Sequence, residues 1–476
     1  MALSEVPRHR CRQTLHLSKK SLRKFGIGIN VFKSEFFCRS AADIQELDTG
    51  LKILNNNEVF LLGGALTETS IYTLLQKKLK LLRHFQERLR ILPHHQALFL
   101  LKTSFGFPRF THVLRSTPCW HSTTLPQMDE TLKLILEEIL NVSLDHPKWL
   151  QASLPVNKGG LGIRRFEQLS LPAFIASAVG SERLVKVCLT STEEHLAEDT
   201  HLAEATSTWL QLTNRESLPQ SYKQKEWDGP VCDVVVQSVL NCADDTEKAR
   251  FTAATAKHSS EWLHTMPITT CGFALSNDEL RISVCLRLGL PLFRSHQCTC
   301  GETVDELGQH CFICKRNSGK QARHHAINQL IHRELTRCQV PSQLEPSGLF
   351  SENQLRPDGI TVCPWTRGRQ LIWDFTCTHT LSMSNLRATK GETAKAAELA
   401  EAKKISKYGT TPSHLLFMPI AVETLGSFGP QAAQFFKELG KRQAEQFDDN
   451  TAGSKLRRRF SIELQRGNAK CVSLTR

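Results

Sequence analysis

No stretch of this 476-residue chain carries the roughly 20 consecutive apolar residues needed to cross a bilayer, and runs such as 97–101 are far too short. The N-terminus also lacks an apolar signal segment. Sixteen cysteines scattered over such a length therefore read as reduced thiols, not as the disulfide framework of a small secreted domain. These absences lead us to expect a soluble, intracellular protein with no membrane partner. Acidic residues are outnumbered, with 47 Asp and Glu against 60 Lys and Arg, a net charge of +13. The first 40 residues alone hold nine Lys or Arg against only Glu5 and Glu35. A surplus of this kind attracts polyanions, of which nucleic acid is the commonest. The length allows two to four domains of about 100–200 residues each.

Along the chain the hydrophobic period changes. Residues 25–37 and 58–64 read as short strand-like runs, the second closed by Gly63-Gly64. From Ile71 to Leu92 the apolar residues Leu74, Leu75, Leu79, Leu82, Phe85, Leu89 and Leu92 recur at three and four, with Lys77, Lys78, Lys80, Arg83, Arg88 and Arg90 between them. This spacing predicts an amphipathic helix whose basic face is either solvated or laid along a phosphate backbone. Further helices are expected at 96–104 and about 128–140, separated by a Pro/Phe-rich break at 105–110. Lys158-Gly159-Gly160 invites a phosphate-loop reading, but no Gly-Lys-Ser/Thr element follows it, which favours a tight turn. Residues 167–290 read as helical without an internal repeat. Asp244-Asp245 lacks the apolar strand flanks of a polymerase metal box, and paired aspartates before a helix are ordinary N-terminal caps.

Cys298, Cys300, His310 and Cys314 form C-x-C-x9-H-x3-C, four ligands within 17 residues, which suit a closed tetrahedral Zn²⁺ site of structural type. Cys311 offers a competing thiol, and unliganded cysteines are the plain alternative. Further on, residues 356–362 and 371–377 are two β-rich runs around a Pro364–Arg369 turn, the pattern of an antiparallel hairpin. Asp358 and Asp374 are equidistant from Thr366 in that turn, so they are expected on one face about 5 Å apart at Cβ. Two carboxylates so close repel unless a divalent cation such as Mg²⁺ lies between them. A helix at about 392–407 then brings Glu401, Lys404, Lys407 and Tyr408, and the apolar run 414–422 follows as a strand.

These residues, in this order, closely resemble the C-terminal part of non-LTR retrotransposon proteins that carry a restriction-like endonuclease. The resemblance rests on the knuckle at Cys298, Cys300, His310 and Cys314, the Arg323-His324-His325 element with Asn328, and Pro357-Asp358 with Asp374. It implies a PD-(D/E)XK nuclease with Asp358 and Asp374 on catalytic Mg²⁺. Glu345, in Leu344-Glu345-Pro346, would supply the extra acid such folds place on their first helix. Thr376 stands where the generic motif has Lys, so the catalytic ammonium would come from Lys404 or Lys407. Arg323, His324 and His325 would grip DNA, and Zn²⁺ would be structural.

Upstream, residues 26–36 resemble the segment after the catalytic aspartates of a reverse transcriptase. Residues 61–66 resemble its primer-grip hairpin, 71–140 its thumb, and 149–163 the link that follows. No Asp lies among the first 25 residues, so polymerase activity is not expected of this chain alone. The expected architecture is multidomain α+β. A reverse transcriptase palm remnant and thumb would occupy 1–145, a mostly helical linker region 146–285, a small zinc knuckle with the Arg-His element 286–330, and a restriction-endonuclease-like core of αβββαβ type 331–476. The implied function is Mg²⁺-dependent nicking of DNA to prime reverse transcription; the alternative is a non-catalytic nucleic-acid-binding remnant. The implied partners are DNA, element RNA and a full-length reverse transcriptase chain. The resemblance and the charge place the work in the nucleus, with Lys455–Arg459 as a weak import candidate.

Overall fold

The computed structural model describes residues 52–189, 200–350, 355–409 and 411–475, together with scattered positions between 20 and 37. Of the strand-like run expected at 25–37, residues 27, 29, 31, 32 and 34 lie outside the described residues, and the rest includes a two-residue strand at Glu35–Phe36 that pairs in parallel with Lys52–Ile53. Two compact units emerge: one from residues 1–86, 104–132 and 165–234, the other from 87–103, 133–164 and 235–476. Among the described residues no helix is long and apolar enough to cross a membrane.

In the first unit Phe60–Leu61 and Gly64–Ala65 pair as a tight hairpin. The helix Glu68–Leu89 follows, burying Leu74, Leu75, Leu79, Leu82 and Phe85 while Lys77, Lys80 and Arg83 stay exposed, as the periodicity requires. The break expected at 105–110 is instead the start of a helix, Phe107–Ser116. Pro108 stands in its first turn, where a missing N–H costs nothing. Asp129 caps the helix Phe166–Leu189, accepting from Phe166 N at 2.6 Å and Glu167 N at 3.1 Å, and burial pushes its carboxyl up to about 7. Trp209 and Trp227 close the core of this unit edge to face, the Trp209 indole donating to Trp227 O at 2.9 Å.

In the second unit the Lys158-Gly159-Gly160 segment is a tight turn. A Cβ on Gly160 would lie 2.1 Å from Leu154 O, so only glycine fits. Its carbonyls, not its amides, do the binding: Gly160 O and Val156 O accept from the buried Arg287 guanidinium at 3.1 and 2.9 Å. Asp244 caps the helix Asp245–Thr255 through Glu247 N at 2.8 Å, so the paired aspartates are a helix start.

The C-terminal part of this unit runs α1 (Ser318–Arg337), β1 (Ser342–Leu344), β2 (Gly359–Thr361), β3 (Gln370–Thr378), a short helix Met383–Thr389, α2 (Lys395–Lys407), β4 (Leu415–Glu423), α3 (Pro430–Phe447) and α4 (Ala452–Ser473). The sheet order is β4-β3-β2-β1. Strand β4 lies parallel to β3 over nine residues, and β2 is antiparallel to both β3 and β1. Successive side chains on a strand alternate faces. Leu371, Trp373 and Phe375 of β3 accordingly join Ile327, Leu330 and Ile331 of α1, Phe435 and Phe436 of α3, and Phe460 of α4 in one core. Ile372 lies on the opposite face and packs with Ile360 and Leu415.

Lys455–Arg459 is not a free basic tail. It is a turn of α4, with Leu456 buried, Arg459 on Glu334 at 2.5 Å, Arg457 near Glu261 at 3.5 Å and Lys455 on Asp449 at 2.7 Å. The segment is therefore folded into the helix, with Lys455, Arg457 and Arg459 beside acids.

The buried His95 accepts from Leu275 N at Nδ1, 3.0 Å, and burial, then the Lys102 and Arg466 charges, lower its pKa to about 4. The unfolded chain takes up that proton near pH 6.5, the folded one only near pH 4. Stability should thus fall as pH drops through that window, by up to roughly 3 kcal/mol, and level off below it. Urea unfolding of the wild type and His95→Gln at pH 7.5, 5.5 and 4.5 checks this; equal losses in both would rule out His95 as the cause.

Candidate functional site

Strand β3 and its neighbours bring the sequence-selected acids to one place. Gly359 pairs with Trp373 and Ile360 with Ile372, a register centred on Thr366 as expected from the turn. Asp358, just before β2, donates its N–H to Trp373 O at 2.9 Å. Its carboxylate Oδ2 accepts from Phe375 N at 2.6 Å and lies 3.1 Å from His324 Nε2. Both contacts fall on Oδ2. The neighbouring Asp358 raises the His324 imidazole above its ordinary range, against the effect of burial. Asp374 Oδ1 accepts from Lys404 Nζ at 2.7 Å and its Oδ2 from the Tyr408 hydroxyl at 3.1 Å. Burial, then the Asp374 charge, pushes the Tyr408 phenol far above its usual value, so it stays a donor.

The sequence left Lys404 and Lys407 equivalent, and the structure separates them. Lys404 reaches Asp374, whereas Lys407 is exposed and lies 5.7 Å over the Tyr408 ring. Glu345 is not on the first helix. It follows β1 with φ +48°, bonds its N–H to Asp358 O at 2.9 Å and pairs its exposed carboxylate with Arg356 at 2.7 Å. The first helix instead offers His324 to the acids. His325 is exposed on the same wall, but Arg323 is 3% exposed, with its guanidinium on Asn468 Oδ1 at 2.7 Å and above the Phe312 ring. A Cβ on Gly467 would lie 2.3 Å from Arg323 Cγ, so that glycine makes room for the arginine stem. Arg323 thus serves the packing of α1 on α4.

Asp358, Asp374, Lys404, Lys407, His324 and Glu345 line one open cleft of about 1010 Å³, whose walls also carry Lys320, Arg356, Asn328 and Thr376. Sequence reasoning missed the Trp373–Gly359 pair, although the arithmetic that aligns Asp358 with Asp374 also aligns these two. A Cβ on Gly359 would sit 2.1 Å from the Trp373 ring, so the indole lies over bare backbone beside Asp358.

The cysteine cluster is assembled by a hairpin of His296–Gln297 with Thr303–Val304 and a one-turn helix, His310–Ile313. Asp305 accepts from Leu307, Gln309 and His310 N–H groups and so sets the helix start. The ligand atoms of Cys298, Cys300, His310 and Cys314 lie within 4.8 Å of one another. Cys298 Sγ and Cys314 Sγ are 3.8 Å apart, and Cys300 Sγ is 3.3 Å from His310 Nε2. A tetrahedron with Zn–S of about 2.3 Å has edges of roughly 3.8 Å between sulfurs, so the donor set fits Zn²⁺. The Cys300 backbone N–H pulls the Cys298 thiol down to about 6, toward the thiolate that a metal takes. Cys311 stands apart, its thiol pushed up to about 11 by burial. Asn317 ties this module to α4, donating to Cys311 O at 2.7 Å and Cys471 O at 2.8 Å.

No protein-family model matches the chain. It is similar to the 132 kDa protein of the retrotransposable element SLACS of Trypanosoma brucei gambiense, at 23% identity over 378 residues, 77% of this chain and 28% of that protein. The chain therefore spans under a third of the length of this curated relative, and the similarity makes it a retrotransposon-related protein.

Two outcomes follow. The purified chain should carry one Zn²⁺ by native mass spectrometry, and Cys300→Ser should lose it and lower Tm by at least about 5 °C; a metal-free wild type of unchanged Tm would refute the zinc site. Gly359→Ala should cost roughly 1–3 kcal/mol in urea unfolding, through the clash with Trp373, and a neutral result would contradict the packing described.

Proposed function

We propose that the Asp358–Asp374–Lys404 cleft is the active site of a restriction-like, Mg²⁺-dependent DNA endonuclease derived from a non-LTR retrotransposon protein. The observation that carries this reading is the convergence of two acids and one ammonium, from the residue before β2, from β3 and from α2, on a cleft with basic walls. The element order α1-β1-β2-β3-α2-β4 supports it, being the αβββαβ order that the resemblance to PD-(D/E)XK nucleases implies. Two carboxylates on neighbouring strands are hard oxygen donors of the kind Mg²⁺ takes. Bound there, Mg²⁺ would polarise the scissile phosphate and acidify an attacking water.

The protein's own groups account for the rest. Lys404, half-buried and open to the cleft, offsets charge that builds on the phosphate. Tyr408 holds the second oxygen of Asp374 and so fixes the direction of the first. Lys320, His325, Arg356 and Lys407 supply phosphate contacts that position DNA without reading its sequence, and the zinc module adjoins α1 as part of the same grip. Nicking would expose a 3′-hydroxyl that primes reverse transcription, with the polymerase, element RNA and nuclear context supplied by a longer chain. In that scheme residues 1–145 would be the palm remnant and thumb.

A second reading has one observation in its favour. Each carboxylate already has partners within the protein, Lys404 and Tyr408 on one and His324 and the Phe375 amide on the other, as a site that only binds nucleic acid would.

Supercoiled plasmid offered to the full chain decides between them. With Mg²⁺ the wild type should produce open circles, and EDTA should stop it. Asp358→Ala and Asp374→Ala should each lose at least about 100-fold while still binding DNA, and Lys404→Ala should lose more than Lys407→Ala. Nicking that survives Asp374→Ala sinks the endonuclease reading; tight, salt-sensitive binding by a folded protein with no nicking selects the second.

A further inference from the structure

Asn328 on α1 stands between the core and the site. Its Oδ1 is 3.0 Å from Trp373 Nε1, and its Nδ2 is 3.3 Å from His324 Nδ1. The indole N–H can only donate, so the amide oxygen must face Trp373 and the amide nitrogen must face the imidazole. The –NH₂ group in turn can only donate, so His324 Nδ1 must accept. Of the two neutral tautomers, this leaves the one with hydrogen on Nε2, the nitrogen that lies 3.1 Å from Asp358 Oδ2. Every group in the chain has a fixed direction because it begins at a side chain that is fully buried. Trp373 is 0% exposed and pinned over Gly359.

We propose that His324 is a positioning residue for Asp358, held as the Nε2–H tautomer by a directed chain from Trp373 through Asn328 to His324. It donates to Asp358 Oδ2 and does not bind metal through Nε2, since that nitrogen has no free lone pair in this tautomer. With the Phe375 amide on the same oxygen, the two donors fix the carboxylate plane. A phenyl contact steadies the ring from the side, with His324 and Phe375 centroids 5.8 Å apart. The inference rests on the nuclease reading for the role of Asp358, but the tautomer stands on the hydrogen bonds alone.

The sharpest test is Asn328→Asp. A carboxylate there accepts from both neighbours, Trp373 Nε1–H and His324 Nδ1–H, and an imidazole held between two carboxylates keeps both protons as the imidazolium. Nitrogen-15 NMR of histidine-labelled full chain at pH 8.5, with His324 assigned by His324→Gln, should show a protonated Nε2 and bare Nδ1 in the wild type and both nitrogens protonated in Asn328→Asp. A bare Nε2 in the wild type overturns the proposal whether or not the protein cleaves DNA. In plasmid nicking followed across DNA concentrations, His324→Ala should lower kcat at least about tenfold with little change in KM. His324→Gln, whose amide can keep the N–H toward Asp358, should recover to within about threefold of wild type. If the wild type nicks and His324→Ala nicks equally well, the positioning role fails while the nuclease survives. If the wild type itself does not nick, the nuclease reading fails and the NMR result alone decides the tautomer.

Discussion

Strand β3 is buried on both faces, and the alternation of its side chains holds the core and the site in one register. Trp373 and Phe375 enter the core between α1, α3 and α4, while Asp374 faces α2. A slip of one residue would drive the carboxylate into the hydrophobic cluster and the indole toward the cleft. Nine paired positions along β4 and the indole over Gly359 prevent that slip. Burying an aromatic side chain contributes about 1.5–3 kcal/mol, so the residue that sets the register is also among those the fold can least lose.

Two buried glutamates do for the helices what Trp373 does for the strand. Glu423, at the end of β4, accepts from Ala396 N at 3.0 Å and Ala397 N at 3.4 Å, and thereby anchors the start of α2, the helix that carries Lys404. Glu401, one turn before Lys404, accepts from Gln431 and Ala432 N–H groups at 2.9 Å and anchors the start of α3. A carboxylate at a helix N-terminus satisfies amides that have no partner within the helix. Burial pushes both carboxyls up, so these anchors work against their own desolvation. The position of Lys404 thus depends on a chain of acids running from the sheet through two helices.

Much of this was readable from residue order, because it depends on short-range patterns. The hairpin register follows from the turn at Pro364–Arg369, the helix Glu68–Leu89 from its apolar spacing, and the metal cluster from four ligands within 17 residues. What escaped depends on partners far away in sequence. Arg323 looked like a surface cation because Gly467 and Asn468, which accommodate it, lie over 140 residues downstream. Lys455–Arg459 looked like a free basic run because its acids, Glu261 and Glu334, are equally remote. Glu345 was expected on a helix, yet the chain turns through positive φ there and the helix before it offers a histidine. The choice of Lys404 over Lys407 needed the orientation of α2 about its own axis, which helical periodicity alone leaves open.

The contact of Arg323 with Asn468 also bears on how this chain depends on its own length. The guanidinium lies in the interior whenever α1 packs, and Asn468, within the last helix, accepts from it at 2.7 Å. A chain cut short by a stop codon or scrambled by a frameshift before position 468 would lose the part of α4 that covers Arg323 and leave α1 without that packing partner. Translation would then end in a product that cannot close its own core. Folding itself therefore acts as a test of reading-frame integrity, applied at the end of the message to a site encoded well before it.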